Sequence, residues 1–549
     1  MRGGGNELAG GRSADEVYNV DSGVAALQTP HLPWSGGAGL GINQDPAAQQ
    51  RAMPILPPIR QTTHNDLTVL DAFGIRKLLF TDVPMLSFIP IEHEASIAVI
   101  YVEVADAYAA TTMQLEKDRL WMLFHIVHRL FLRVERAGDS LNSRLRAYRH
   151  GDWKAILAAW VEAVAEGRKA PRSTTREARA LAAMSRGRVG AAVRICCEEG
   201  PVDLATPGIV QQLEKKQLRR TITMPGELLD PVEDVSLNLR KIFRRLRVGA
   251  GVGPDGVKNS YLISMAKIFD NAVAGRVMWA FETLGEDFVS CRLPAWCYTV
   301  FVETQQLALP KPMDPMLPPP AVIPVRPVGM GSCLRRALTA AVIDPLAAIA
   351  DRLVFSVQTA WAKGAARLRV HTIRLHLEAF PDHIAAGWDV VNAHNSAQRR
   401  AAYEAMRSNP DFRHAAQIFW ATYSPESVIH GLRLLSSEGF QQGDCIAGLA
   451  YCLLTFRHLQ WADRQLRAVN GRLFANQDDS IALGPAKVVL VTLKELQRRL
   501  RVHCNLRANP SKDFVFCPSG PSVVLQFIRD NPSFSSFVPR FIALRDSRS

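Results

Sequence analysis

Two short apolar runs flank the adjacent carboxylates Asp478 and Asp479 in the stretch Gly471-Arg-Leu-Phe-Ala-Asn-Gln-Asp-Asp-Ser-Ile-Ala-Leu-Gly484. Apolar runs of strand length on both sides of a polar pair predict a β-hairpin with the acids at its tight turn. Two carboxylates at such a turn can reach one point above a sheet, as binding of a hard cation requires. An Asp-Asp pair by itself usually marks a solvated turn, so the prediction depends on a third acid.

A third acid occurs upstream in a matching context. Asp389 ends a mostly apolar run, and a helix-like segment over Ala397–Arg407 follows it. A carboxylate at the C-terminal end of a strand, beside the hairpin, would complete a three-acid cluster. Three carboxylates cannot stay ionised together in a partly dry site without a counter-charge, which two divalent cations supply. Two such cations, roughly 3.5–4 Å apart, can activate an attacking hydroxyl and stabilise a leaving oxygen.

A glycine-rich loop, Ser437–Gly448, lies between the third acid and the hairpin. Its glycines and amides suit a turn where the backbone approaches a ligand closely, followed by a helix that begins with small residues. Alone, this loop fits any tight turn. The order of acid, Gln-Gln-Gly-Asp loop and Asp-Asp hairpin is much more specific than any one of the three.

In these motifs the chain resembles the reverse transcriptase of non-LTR retrotransposons, most of all the site-specific type found in trypanosomatid genomes. The three palm motifs of that family are matched by Trp388–Ser396, Gly439–Cys445 and Asn476–Asp479. Finger motifs and the segment after the palm hairpin are matched by Gly253–Gly256, Leu309–Pro312, Val325–Gly329, Leu334–Arg336 and Asn509–Lys512. The matched region runs from about Leu237 to Cys517 with its motifs in the family's order.

The resemblance implies an enzyme, an RNA-directed DNA polymerase that adds deoxynucleotides to a primer 3′-hydroxyl. Asp389, Asp478 and Asp479 would be its catalytic residues and would hold two Mg²⁺ ions. The residues that would bind the nucleotide are Lys311, Arg326, His394, Gln442, Gly443 and Lys512. The partners implied are an RNA template, a DNA or RNA primer and deoxynucleoside triphosphates.

Each nucleotide-binding residue has an implied role. Lys311 and Arg326 would reach over the triphosphate, where cations offset the charge that develops on the leaving group. They fit ordinary solvated cations beside proline turns equally well. Gln442 and Gly443 would shape the template and nucleotide pocket, and Lys512 would lie near the pyrophosphate.

The chain departs from the family at several of these positions. His394 stands where an aromatic ring usually blocks a ribose 2′-hydroxyl, Asn476 replaces the aromatic before the acid pair, and Cys445 replaces a proline. Two alternatives therefore stay open. One is an inactive nucleic-acid-binding remnant of such an element. The other is an RNA-dependent RNA polymerase, which also uses a palm with three acids.

Composition agrees with a nucleic-acid partner. The chain has 65 basic and 52 acidic side chains, a net charge of +13, and 48% hydrophobic residues, enough for a substantial core. From Lys117 to Arg194 there are 17 basic and 7 acidic residues, a net of +10. Such a region attracts phosphate backbones with little regard to sequence. A solvated helical surface is an equal alternative for any one of these arginines.

Cysteine and histidine usage indicates a reducing compartment. The nine cysteines form no Cys-x-x-Cys pair, and their odd number argues against a disulfide framework. His125 and His128 lie in the apolar run Leu120–Leu132 and are predicted to be packed helix residues rather than zinc ligands. That run is too short for a membrane span of about 20 residues. We therefore expect no membrane partner, and an intracellular, nuclear location.

The fold class predicted is α+β: a right-hand polymerase palm and fingers behind an N-terminal helical basic region. The segments are 1–66, a flexible leader; 67–236, a mainly helical basic region with a strand at Ile97–Val102; 237–345, fingers interrupted by a proline-rich loop at Pro310–Pro327; 346–517, a palm; and 518–549, a tail or remnant of a thumb. The predicted order in the palm is strand, helix, helix, hairpin, helix, strand. With so short a tail, we expect a truncated element and low processivity.

Overall fold

A computed structural model gives the fold of most of the chain. It describes residues 83–165, 180–181, 184 and 200–541, with internal gaps at 233–234, 269–270, 312, 314–317, 319, 355, 361–363, 433, 533 and 535–539. The predicted leader, 1–66, lies outside the described residues, as do most of 166–199 and the end of the predicted tail.

The described chain is a mixture of helices and two small sheets. The helices are α1 (Ile91–Ala110), α2 (Gln114–Phe131), α3 (Leu141–Arg149), α4 (Trp153–Ala165), α5 (Ile209–Glu214), α6 (Leu239–Arg245), α7 (Asn259–Lys267), α8 (Asn271–Val289), α9 (Ala295–Phe301), α10 (Cys333–Ile343), α11 (Ala347–Val354), α12 (Ala365–Ala379), α13 (Ala393–Ser396), α14 (Arg399–Arg407), α15 (Arg413–Tyr423), α16 (Cys445–Arg467), α17 (Ala486–Cys504) and α18 (Ser522–Asp530). The strands are β1 (Thr304–Pro310), β2 (Val325–Gly331), β3 (His383–Trp388), β4 (Ser427–His430), β5 (Leu435–Ser436), β6 (Arg472–Asn476), β7 (Asp479–Pro485), β8 (Phe514–Phe516) and β9 (Arg540–Phe541). The α+β class is confirmed.

The strand predicted at Ile97–Val102 is wrong, because this segment lies inside α1. Its run of β-branched residues favours a strand locally. The buried side chains of the whole segment instead recur at helical spacing, at Ile97, Tyr101, Val104 and Tyr108. That stripe packs against α2 and α8, and tertiary packing overrides the local preference.

Several arginines of the predicted basic region serve the structure rather than the surface. Arg133 and Arg144 are buried, and both pair with Asp139, at Nε–Oδ distances of 2.9 and 2.6 Å. Buried guanidinium groups need such partners, because an unpaired buried charge is costly. Within the described residues these two cations are therefore neither solvated nor free to meet phosphate, and the predicted basic face is smaller than the charge count implies.

Helix α2 is hydrogen-bonded to the predicted finger turn, Gly253–Gly256. His125 and His128 are buried in this helix, as predicted. The Nε of Arg129 donates to the carbonyl oxygen of Asp255 at 2.6 Å, and His128 Nε2 lies 2.8 Å from the same oxygen. The N-terminal helices and the turn are thus bound by direct hydrogen bonds, in addition to apolar packing.

The smaller sheet has the strand order β2-β1-β4-β5. β1 and β2 form an antiparallel hairpin in which Ala308 pairs with Pro327 and Pro310 with Val325. The proline-rich loop is therefore narrower than predicted, since Pro310 and Pro327 both lie in strands. A proline is tolerated at Pro327 because β2 is an edge strand, where a missing N–H disturbs no ladder.

The larger sheet has the order β6-β7-β3-β8-β9 and carries the candidate site. β3 is central and antiparallel to both β7 and β8. The predicted succession of strand, helices, hairpin, helix and strand is confirmed from β3 onward, with α11 and α12 ahead of it. Four helices (α13, α14, α15 and α16) lie between β3 and the hairpin where two were expected, and the short strands β4 and β5 lie between α15 and α16.

The core is largely continuous across the predicted segment boundaries. One cluster of buried residues runs from Ile89 to Phe534 and includes Ile384, Ala386 and Trp388 on one face of the larger sheet. The opposite face carries a small separate cluster with α12, beside an open apolar pocket of about 700 Å³. None of the helices in the described part of the chain has both the length and the apolar character needed to cross a bilayer.

Gly439 gives a direct test of this packing. Its φ is 73°, and a Cβ there would lie 2.2 Å from the carbonyl oxygen of Asn395. We expect Gly439→Ala to lower the free energy of unfolding by about 3 kcal/mol, because strain and a backbone clash add. Gly275→Ala is the control: the site lies in α8 with open space around it, so alanine should stabilise by about 0.5–1 kcal/mol. Urea unfolding of both variants measures the difference, and equal effects would contradict the packing described.

Candidate active site

The register of the larger sheet brings the three predicted acids to one end of the sheet, where β3 ends and the β6–β7 hairpin turns. Trp388, the last residue of β3, pairs with Ser480 of β7, so Asp389 emerges next to the hairpin. Within the hairpin Asn476 pairs with Asp479, which leaves a two-residue turn that contains Asp478. The predicted hairpin and the predicted strand end before Asp389 are both confirmed.

The ionisation of Asp478 and of Asp479 depends on the carboxylates beside them. Burial and the charges of Asp479 and Asp389 raise the pKa of Asp478 to about 6. Burial and the charge of Asp389 also raise the pKa of Asp479 above its usual value. Burial and neighbouring like charges both disfavour the ionised form of a carboxylate unless a counter-charge is present. The site is thus an acidic cluster, and added positive charge would reduce the electrostatic repulsion within it.

Lys512 supplies part of that charge. Its Nζ lies 2.6 Å from Oδ2 of Asp389. The short 3₁₀ turn Pro510–Lys512 places it there, since the backbone N–H of Asn509 donates to the carbonyl oxygen of Asp389 at 2.9 Å. The predicted nucleotide-binding lysine therefore lies in the site, bonded to one of the acids.

Lys311 and Arg326, on either side of the β1–β2 loop, face the same cluster. Burial lowers the pKa of Lys311, the charges of Lys512 and Arg326 lower it further, and that of Asp389 raises it. Arg326 in turn lowers the pKa of Asp479. The structure thus brings both predicted cations to the acids, although they come from a different sheet.

His394 contacts the hairpin turn. Its Nε2 donates to Oε1 of Gln477 at 3.0 Å, and its ring centroid lies 5.1 Å from that of Tyr451. Burial lowers the pKa of His394, while the hydrogen bond to Gln477 raises it. The neutral ring is therefore favoured, fixed directly beside the residue that precedes Asp478.

Gln442 and Gly443 lie against β2. Both belong to the loop before α16, and Gln442 lines a small cleft together with Gly329 of β2. Gly443 has a φ of 97°, and a Cβ there would lie 3.7 Å from the carbonyl oxygen of Gly329. Asp444, the next residue, caps α16 and pairs with the buried Arg335 at 3.1 Å. The loop thus lies against the strand that carries Arg326 and is fixed by an ion pair to α10, rather than directly to the acids.

The base of this loop is held by Arg399, whose side chain is almost completely buried. Its Nε donates to the carbonyl oxygen of Gly439 at 2.8 Å and its Nη2 to Oγ of Ser436 at 2.6 Å. The guanidinium also lies over the ring of Tyr423, 5.0 Å from its centroid. Burial lowers the pKa of Arg399 to about 10, so the group stays charged at neutral pH.

Three residues near the acids escaped the sequence reasoning. Gln358, before α12, hydrogen-bonds the hairpin turn, and Arg369 of α12 lies near enough to Asp479 to lower its pKa. Asp513 accepts a hydrogen bond from the backbone of Asp389; burial and the charge of Asp389 raise its pKa to about 6. A lone glutamine or arginine between motifs carries no signal. Asp513 could have been found, because it follows the matched segment that ends at Lys512.

The carboxylate oxygens suit a hard divalent cation, but one of the three acids, Asp389, is already paired with the ammonium group of Lys512. Carboxylate oxygens are what Mg²⁺ prefers, and added positive charge would favour the ionised form of Asp478, whose pKa is raised by burial and by the charges of Asp479 and Asp389. Against this, no group of three acidic, histidine or cysteine side chains in the described residues stands in a metal-holding arrangement. Lys512 occupies Asp389 instead. The chemistry therefore fits, and the side chains would have to rearrange.

Among known proteins, no family model matches the chain and no curated protein matches it. A functional assignment therefore rests on the residues themselves and on their geometry.

The acid cluster makes stability depend on pH. Because the pKa of Asp478 is raised to about 6, its ionisation destabilises the fold as pH rises from about 4 through 6. We expect Asp478→Asn to be more stable than the wild type by about 2–3 kcal/mol at pH 7.5, and to lose this advantage near pH 4. Urea unfolding at both pH values measures it. Asp382→Asn, before the opposite end of β3, is the control, and a pH-independent gain for Asp478→Asn would refute the explanation.

Proposed function

We propose that this protein is an RNA-directed DNA polymerase, a reverse transcriptase of the non-LTR retrotransposon kind. The observation that carries the proposal is that Asp389, Asp478 and Asp479 meet at one end of the larger sheet. Three cationic side chains lie near them: Lys311, Arg326 and Lys512. In this reading the larger sheet is the polymerase palm and the β1–β2 hairpin belongs to the fingers. A nuclear location is part of the same proposal.

The acids would hold two Mg²⁺ ions, which when bound activate the primer hydroxyl and stabilise the leaving pyrophosphate. Asp389 and Asp478 would be the main ligands, with Asp479 beside them. The burial that raises the pKa of Asp478 also makes its carboxylate a strong partner for a cation. Binding of positive charge would lower that pKa and keep all three acids ionised.

The cations would receive the triphosphate. Lys311 and Arg326 come from the β1–β2 hairpin and face the acids from across the site. Fixed positive groups there offset charge on the leaving phosphates. Lys512, now on Asp389, would exchange the carboxylate for a phosphate oxygen when a nucleotide binds. An RNA template and a DNA or RNA primer would lie along the cleft beside the Gln442–Gly443 loop.

A second candidate is the inactive nucleic-acid-binding remnant. The observation that favours it is the ion pair between Lys512 and Asp389, together with the lack of a metal-holding group in the described residues. A remnant would keep salt-sensitive RNA binding that does not depend on Asp478. It would show no template-directed synthesis.

Primer extension separates these possibilities. On an RNA template with Mg²⁺ and deoxynucleotides, we expect the wild type to extend a primer. Asp478→Asn should be slower by at least about 100-fold, a typical loss when one group stabilising transition-state charge is removed. Asp382→Asn, exposed and before the opposite end of β3, is the control and should keep wild-type activity.

The other outcomes of this assay are equally definite. No extension by wild type or variant, with RNA binding intact and weakened by salt, would support the remnant. Extension with ribonucleotides alone would support an RNA-dependent RNA polymerase.

Because of His394, we expect the protein to discriminate weakly between deoxynucleotides and ribonucleotides. In the resembling family an aromatic ring at this position blocks the ribose 2′-hydroxyl, and histidine is smaller and polar. We expect His394→Phe to raise the ratio of kcat/KM for deoxynucleotides over ribonucleotides by about tenfold, or about 1.4 kcal/mol. His150→Phe, at an exposed position after α3, is the control. An unchanged ratio in His394→Phe would show that this side chain does not meet the sugar.

A further inference from the structure

A segment before α12 extends the larger sheet beyond its edge strand β6. The backbone N–H of Ala475 donates to the carbonyl oxygen of Val357 at 2.7 Å, and the N–H of Thr359 donates to the carbonyl oxygen of Ala475 at 2.8 Å. Gln358 and Ala475 thus form a parallel bridge. The backbone contact ends there, one residue before β6 does.

The side chain of Gln358 continues the contact to the turn. Its Oε1 accepts from the backbone N–H of Gln477 at 2.7 Å, and its Nε2 donates to the carbonyl oxygen of Gln477 at 3.3 Å. Gln358 is completely buried, so water does not compete for these groups. One amide therefore binds both polar backbone groups of the residue that precedes Asp478.

Gln477 needs such a restraint. Its φ is 55°, in the left-handed region that is strained for a residue with a side chain. Its own side chain accepts from His394 at 3.0 Å, so it is held from both sides. The turn also carries Asp478 and Asp479, which repel each other and Asp389. Without Gln358, relaxation of the turn would relieve both the strain and the repulsion.

We propose that Gln358 is a positioning residue: its amide fixes the hairpin turn and so sets the affinity of the acid cluster for divalent cations. The second half of this statement rests on the proposed function. The first half rests only on the hydrogen bonds described.

Gln417 provides a matched control. It is also buried, its Oε1 accepts from the backbone N–H of Val232 at 2.7 Å, and its Nε2 donates to the carbonyl oxygen of Val232 at 3.0 Å. Gln358→Met and Gln417→Met each remove one such double hydrogen bond while keeping side-chain volume. Only the first touches the turn.

Two measurements on the full chain test the proposal. Hydrogen exchange of the Gln477–Asp479 amides should accelerate about tenfold or more in Gln358→Met, because local opening becomes easier, and stay unchanged in Gln417→Met. The Kd for Mn²⁺, measured by electron paramagnetic resonance, should rise about tenfold in Gln358→Met alone, which corresponds to about 1.4 kcal/mol.

The outcomes separate this inference from the proposed function. If the wild type binds no Mn²⁺, the proposed function fails, and exchange at the turn still decides whether Gln358 holds it. Unchanged exchange in Gln358→Met overturns the positioning role. Faster exchange with an unchanged Kd, or an equal rise in Kd in Gln417→Met, overturns the link to cation affinity.

Discussion

The segments around the candidate site hold three carboxylates together at one end of the larger sheet, against their electrostatic repulsion. Asp389, Asp478 and Asp479 are brought together by strand register, and burial together with the charges of Asp479 and Asp389 raises the pKa of Asp478. A fold that needed only stability would separate these charges. The chain instead keeps them together and pairs Asp389 with Lys512. The arrangement has a physical reason if the cluster exists to bind positive charge.

The surroundings of the cluster are built to resist that repulsion. On one side, Gln358 and His394 hold the hairpin turn through Gln477. On the other, Arg399 and Arg335 fix the glycine-rich loop through buried hydrogen bonds and an ion pair. Buried polar groups with satisfied partners make such loops rigid. The acids therefore lie between restrained segments, as a site that must hold its geometry against its own charge would require.

The sequence predicted this site better than it predicted the chain around it. The hairpin, the strand before Asp389 and the helix after Asp444 follow from local patterns of apolar runs, turn residues and caps. The helix over Ile97–Val102 does not, because its β-branched run is helical only through packing on α2 and α8. Gln358 was also beyond reach, since its role depends on a bridge to Ala475 that spans more than a hundred residues. Long-range contacts of single polar side chains leave no local pattern.

The most direct test of the account is to locate cations at the acids. Crystals grown with Mn²⁺ and a non-hydrolysable deoxynucleoside triphosphate would give anomalous diffraction peaks at any bound metal. We expect peaks at the carboxylates of Asp389 and Asp478, with Lys512 moved from Asp389 to a phosphate oxygen. The opposite result would be a nucleotide bound elsewhere, no metal peak at these acids and Lys512 still paired with Asp389. That combination would contradict the proposed site.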